Sequence, residues 1–232
     1  MKSVPLALAF FVTGCGSSND PAPAIDRVCA MLPGENVAIK PSEEGRSYFP
    51  GSFGTPTQVC NFKGYPECFA TISTVESDWY PRHWDAADEP SLYERSRFPA
   101  AAEASALRFT WLPTFHHPVI VRIERTGHEA RLVAKQLSGE GGYEPGVIER
   151  EVTRPLSATE VEKLDVILST TKVLEQRPTE CDSGLDGSQW IVEGVNRDSY
   201  LFVNRWSPQE GPVREFGDFA LLLTGWTFEE RY

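Results

Sequence analysis

His117–Leu137 reads HPVIVRIERTGHEARLVAKQL, and its alternation decides the fold. Val119, Val121 and Ile123 fall on one face, and Arg122 and Glu124 fall on the other. Gly127 stands at the reversal, so the stretch predicts a β-hairpin. Working outward, GEGGYEPG (139–146) is a loop, and VIEREVTRPL (147–156) is another half-buried strand. SATE (157–160) is a capping box, in which Ser157 and Glu160 satisfy each other's terminal donors. Val161, Leu164, Ile167 and Leu168 then recur at helical spacing. SQWIVEGVNRDSYLFVNRW (188–206) is a second hairpin turning at Asn196 to Asp198. A three-residue loop sets Trp190 and Val192 beside Asn204 and Phe202. A two-residue loop sets Trp190 opposite Arg205, where a cation–π contact becomes possible. Both remain open. VREFGDFALLLTGW (213–226) carries Phe216, Phe219, Leu222, Leu223 and Trp226 at helical spacing, a closing helix for the sheet. The order strand, strand, strand, helix, strand, strand, helix predicts one α+β domain. Its core is an antiparallel sheet of about five or more strands with two or three packed helices. No repeat of fixed period points to a solenoid or propeller.

The upstream half is plainer. IDRVCAML (25–32) fits a short helix carrying Cys29, and 33–66 is dense in Gly and Pro, reading as loops with short strands. Asp88 offers an N-cap with Pro90 in the first turn, which predicts a helix over 89–96. The domain spans 25–232, a loop-rich part over 25–75 and the main body over 76–232.

The first residues serve as an address. Lys2 precedes a short apolar stretch, Val4 to Val12, far below the ~20 residues needed to span a bilayer. VTGC (12–15) resembles the lipobox of bacterial lipoprotein signals. That resemblance implies a signal peptide over 1–14 and lipidation of Cys15, and GSSNDPAPA then completes a solvated tether over 15–24. Gly16 rather than Asp after the lipid-bearing Cys implies, by likeness to Gram-negative lipoproteins, the periplasmic face of the outer membrane. An ordinary signal peptide with a chance Cys is the alternative.

Cysteine arithmetic agrees. Five cysteines leave one unpaired in an exported chain. With Cys15 removed, Cys29, Cys60, Cys68 and Cys181 form an even set suited to disulfides. No C-x₂-C spacing occurs, which speaks against zinc. Gly and Pro inside CNFKGYPEC (60–68) turn the chain back and favour Cys60 with Cys68, leaving Cys29 for Cys181, among three possible pairings. The chain holds 33 acidic and 22 basic residues, a net charge of −11. Nucleic acid and anionic lipid both reward Lys and Arg, so both are disfavoured as electrostatic partners.

WYPRHW…EPSLY, RFTWLPTFHHPVIVRIE (108–124), the GGYEPG loop and LDGSQWIVEG…Y…NRWSP (185–208) resemble an uncharacterised group of bacterial exported proteins. The group shares a W-Y-x-x-H-L-like stretch, an F-H-x-P-I-x-V-R-I-like strand and a D-G-x-x-W-x-x-E-G…Y…R-W-x-P hairpin. The likeness covers about Glu76 to Trp226 and implies no activity. Pro81 inside WYPRHW departs from the group and speaks against a helix there.

Candidate sites are few. The four histidines, His83, His116, His117 and His128, show no H-E-x-x-H spacing, and adjacent His116 and His117 in an extended segment point to opposite faces. They fit loop and strand-edge positions bonded to backbone, and no metal or other cofactor is expected. DGSQW lacks the second Gly of a nucleophile elbow and reads as a turn entering a strand. GEGGYEPG lacks the Lys and Ser/Thr of a phosphate loop. A carboxylate pair for glycoside hydrolysis is compatible with the plentiful Asp and Glu, at a separation invisible in sequence. Trp, Tyr and Arg dominate binding hot spots, which draws the eye to Trp79, Arg82, His83, His117 and Arg205 as a binding surface. The competing reading makes Trp190, Tyr200 and Trp206 core, with Arg205 covering them by its stem. Together these features predict a membrane-anchored envelope lipoprotein that works as a binding module for a protein partner. The alternatives are a hydrolase of an envelope polymer and an inhibitor or immunity-type protein for a basic partner.

Overall fold

A computed structural model of the chain describes residues 25–97, 104–182, 184–196, 199–228 and 230–232. The signal peptide, Cys15 and the tether lie outside the described residues. The predicted hairpin is present as β4 (Val119–Thr126) and β5 (Glu129–Leu137), joined by a two-residue turn in which Gly127 takes φ 58°. β6 (Ile148–Pro155) follows, then α4 (Ala158–Thr171) with the Ser157–Glu160 capping box in place. β7 (Ser188–Asn196), β8 (Ser199–Trp206) and α5 (Pro212–Leu223) close the chain. The second hairpin takes the register that sets Trp190 opposite Arg205. The cation over Trp190 is nevertheless Arg214, at 4.7 Å from the ring centroid, because Arg205 turns to Glu180.

Periodicity did not reveal the sheet's central strand. β3 (Ala104–Pro113) pairs with β4 on one side and β7 on the other, giving the antiparallel order β6-β5-β4-β3-β7-β8. ALRFTWLP is buried along both faces, and a strand covered on both sides shows no polar alternation. Leu107, Phe109 and Trp111 of β3 join Val121, Trp190 and Val192 against Leu164 of α4 and Phe216 of α5. Gly217 allows this approach, since a Cβ there would sit 2.5 Å from the Trp190 ring. Leu222, placed on the core face by spacing, is 71% exposed, and Ala220 and Leu221 are buried instead.

The opposite face meets the N-terminal half. Leu112, Ile120, Ile191 and Phe202 pack on Tyr48, Phe49, Tyr80 and Trp84. The last two belong to α2 (Glu76–Ala86), a helix that contains Pro81. This corrects the expectation drawn from that proline. An interior Pro costs about 3 kcal/mol, and full burial of Tyr80 and Trp84 at roughly 1.5–3 kcal/mol for each large side chain offsets it. α3 (Leu92–Arg97) starts later than predicted, because Ser91, not Asp88, accepts the first-turn N–H, that of Glu94, at 3.0 Å. Asp88 instead adopts φ 48°, and Glu89 next to it is buried under the sheet.

There Glu89 joins a buried charge network. Arg108 grips Glu193 through two bonds of 2.6 and 2.8 Å, donates to Pro90 O at 2.8 Å, and lies 4.3 Å over the Trp84 ring. Glu89 receives Arg122 Nε at 2.7 Å, and Lys135 Nζ lies 3.0 Å from its other oxygen. The network ties the 87–90 segment to β3, β4, β5 and β7 at once.

Beside the sheet stands a two-stranded ribbon, β1 (Pro56–Phe62) and β2 (Tyr65–Ala70), with α1 (Ile25–Cys29) packed near β1. The disulfides are Cys29–Cys68 and Cys60–Cys181, which corrects the expected pairing. Cys68 pairs across the ribbon with Val59, and Cys60 with Glu67. The two thiols, one register step apart, therefore project from opposite faces and cannot meet.

Candidate functional site

A cleft of about 720 Å³ separates the ribbon from the β8 side of the sheet. Cys60, Asn61 and Phe62 line one wall, and Asn204, Arg205 and Trp206 line the other. Side chains of consecutive strand residues alternate between faces. Gln58, Cys60 and Phe62, with Phe69 across the ribbon, present one face of the ribbon to the cleft, and Asn61 adds the edge of β1. β8, opposite, is the terminal strand of the main sheet. The Cys60–Cys181 disulfide spans between the two walls and contributes to the lining.

The β8 wall is covered by the segment that carries Cys181. Asn204 N donates to Pro178 O at 2.7 Å, Arg205 donates to Arg177 O at 3.0 Å, and Arg205 pairs with Glu180 at 3.0 Å. Burial holds the Arg205 guanidinium below its ordinary pKa, and Glu180 opposes that shift. Gly184 and Gly187 let the Trp206 indole lie against the backbone, since a Cβ at either would stand 2.3 or 2.4 Å from its nearest neighbour.

The inner end is built from α2. Trp79 and Arg82 line it, as does Tyr143 from the GGYEPG loop. Trp79 Nε1 donates to Gly141 O at 2.7 Å, and Arg82 sits between Asp78 at 3.2 Å and Glu144 at 3.5 Å. A Cβ on Gly141 would meet the Leu112 and Pro113 backbone at 2.5 Å, so only glycine brings this loop so close to β3. His83 is buried behind Trp79, Nδ1 at 2.9 Å from Trp79 O and Nε2 at 3.4 Å from Glu140 O. His117 lies outside the cleft, 2.9 Å from Gly139 O and 3.9 Å from Glu149. Of the five binding candidates the cleft gathers Trp79, Arg82 and Arg205. His83 supports its wall, and His117 belongs elsewhere.

The polar groups among the lining residues divide into committed and uncommitted. Glu76 accepts from Tyr80 Oη at 2.7 Å, Asn204 Nδ2 at 3.0 Å and Ser73 N at 2.8 Å. A carboxylate so engaged holds a wall in place rather than moving protons. Burial first, then the Glu76 charge, keeps the Tyr80 hydroxyl protonated well above its ordinary range. Asn204 must turn its Nδ2 to Glu76, because a carboxylate only accepts, and its Oδ1 is left buried without a donor among the described residues. Gln189 goes further. The residue is 9% exposed, and its Oε1 is buried with no partner among the described residues. Leaving such a group unpaired costs about 1–3 kcal/mol. Around these, large apolar side chains face water: Phe62, Phe69, Val75, Tyr143 and, at 91% exposed, Leu185. Sequence reasoning passed over Gln189 and Asn204, which no spacing distinguishes. Phe62, beside the Lys63–Gly64 turn, did carry a signal, being a large apolar residue at a loop tip.

Among the described residues no three His, Cys, Asp or Glu side chains are grouped to hold a metal ion. No helix among them is long and apolar enough to cross a membrane. No family model matches the chain, and no curated protein matches it.

Proposed function

We propose that this protein is a lipid-anchored binding module of the bacterial cell envelope, with the cleft between β1 and β8 as its binding site. The observation that carries the binding reading is a preformed cleft that combines an apolar rim in water with an uncommitted Gln189 amide. Ligand sites pair apolar walls with a few polar groups in this way. The VTGC stretch supports the anchor and the exported address. Gly16 supports the outer membrane.

A photoreactive residue in place of Leu185, at the cleft, and another in place of Leu222, exposed on α5, test the reading in intact cells. The expected result is an adduct at 185 and none at 222, on protein whose mass begins at an acylated Cys15. Equal labelling at both positions, or none at 185, overturns the binding site. A mass that retains residues 1–14 with an unmodified Cys15 overturns the anchor.

A further inference from the structure

Resting on the cleft reading above, we infer that the ligand is an extended peptide carrying large apolar side chains, added as a strand along the free edge of β1. The register of the ribbon fixes which backbone groups that edge offers. Phe62 and Tyr65 flank the two-residue turn Lys63–Gly64, both turn residues having positive φ. In such a hairpin the pair next to the turn exchanges hydrogen bonds, and alternate pairs follow. Cys60 with Glu67 is therefore a bonded pair, and Val59 and Asn61 occupy the intervening positions. Their N–H and C=O groups point away from β2. Two independent marks agree. Pro66, facing Asn61, has no N–H to give. Cys68, facing Val59, sends its N–H to Pro33 O at 2.8 Å on the far side.

The edges of the cleft are not equivalent. β8 is already engaged by Pro178 O, and on β1 the Val59 carbonyl has Cys181 Sγ at 3.9 Å, which leaves Asn61 as the open position. Asn61 N–H and C=O have no partner on the cleft side among the described residues. An unpaired strand edge is a template for another extended chain, and backbone pairing at such an edge with side chains in adjoining pockets is a general mode of peptide capture. Along a strand every second side chain points the same way. One set of ligand side chains would therefore turn to the apolar rim of Phe62, Tyr143 and Leu185. The Gln189 amide, donor and acceptor together, matches the polar pattern of a peptide bond. A glycan would use the rim and Gln189, but lacks the regular N–H and C=O repeat that matches a strand edge. That edge decides between them.

The test pans a displayed library of linear 12-residue peptides on the disulfide-bonded protein purified from membranes, then measures the best binder against Asn61→Pro. Proline is tolerated on an edge strand where its missing N–H faces outward, so the ribbon should keep its fold, checked by amide exchange. The expected loss is about tenfold in affinity. A second arm leaves the protein untouched: the peptide is N-methylated at either alternate set of backbone amides. Strand addition predicts that one set abolishes binding and the other is tolerated. Binding indifferent to Asn61→Pro and to both methylation sets overturns the inference. So does a library without binders, or a dimer whose dissociation follows Asn61→Pro, since the occupant would then be a second copy. Should these arms fail while position 185 still forms its adduct in cells, strand addition falls and the cleft reading stands. Loss of both removes the site.

Discussion

Burial holds the His83 imidazole below its ordinary pKa of 6.5, although the Trp79 and Glu140 carbonyls favour its charged form. In the unfolded chain the same side chain protonates as pH falls through 6.5, while in the folded protein it stays neutral to lower pH. The unfolded state then binds the extra proton, so stability is fully present above 6.5 and is lost as pH falls toward the depressed folded value. His83→Gln should flatten the stability curve between pH 7.5 and 5.5 in urea titrations. An unchanged slope would mean that His83 is not the titrating group. Glu160 acts in a separate window. Arg154 foremost, with the Ser157 cap, holds its carboxyl at about 2 against an ordinary 4.5, so its contribution disappears only on further acidification. At this scale the site was partly legible. Trp79, Arg82 and Arg205 stand out by residue type alone. Gln189 and Asn204 do not, because what sets them apart is the absence of a partner, and that exists only once the walls are folded.

Among elements, the ribbon is held mainly from within. β1 and β2 hold each other and α1, while the contacts that make the sheet cooperative run through β3, β4, β5 and β7. The Cys60–Cys181 bridge links the ribbon to the segment leading into β7. Replacing both cysteines by Ser should lower stability by about 2–4 kcal/mol. It should also accelerate amide exchange over 56–70 well beyond that of the main sheet. Equal acceleration everywhere would show that the bridge supports the whole domain rather than one wall of the cleft. Elements with amphipathic or capping patterns were readable: the β4–β5 hairpin, α4 with its Ser157–Glu160 box, and α5. β3 was not, since burial on both faces erases the alternation. α2 was not, since Pro81 argues locally against a helix that Tyr80 and Trp84 secure by packing. Disulfide partners were misread because sequence proximity ignores that neighbouring strand positions face opposite ways.

Over the whole molecule, one layer is greased and the other is charged. The face under α4 and α5 is mainly apolar, with Gln136 and Ser188 buried at its end, whereas the face under α2 closes over Arg108, Glu193, Glu89, Arg122 and Lys135. A buried pair is worth little over well-packed apolar residues, yet breaking one is costly. Arg108→Met should therefore destabilise by about 3–5 kcal/mol, because among the described residues Glu193 is left buried with only Tyr200 Oη to donate at 2.9 Å. Arg108→Met with Glu193→Leu should recover much of that loss in a double-mutant cycle. Additive losses would show that the two residues act apart. The disulfides also have a consequence for biosynthesis. Their spans interleave: 29–68 is crossed by 60–181. A chain delivered N-terminus first presents Cys29 and Cys60 before either has its native partner. Pairing in order of appearance joins the wrong thiols, and Cys181 arrives 121 residues after Cys60. Wherever Cys29 and Cys60 join first, reaching the native pairing requires thiol exchange, and the cleft's bridging wall is among the last parts of the protein to be fastened.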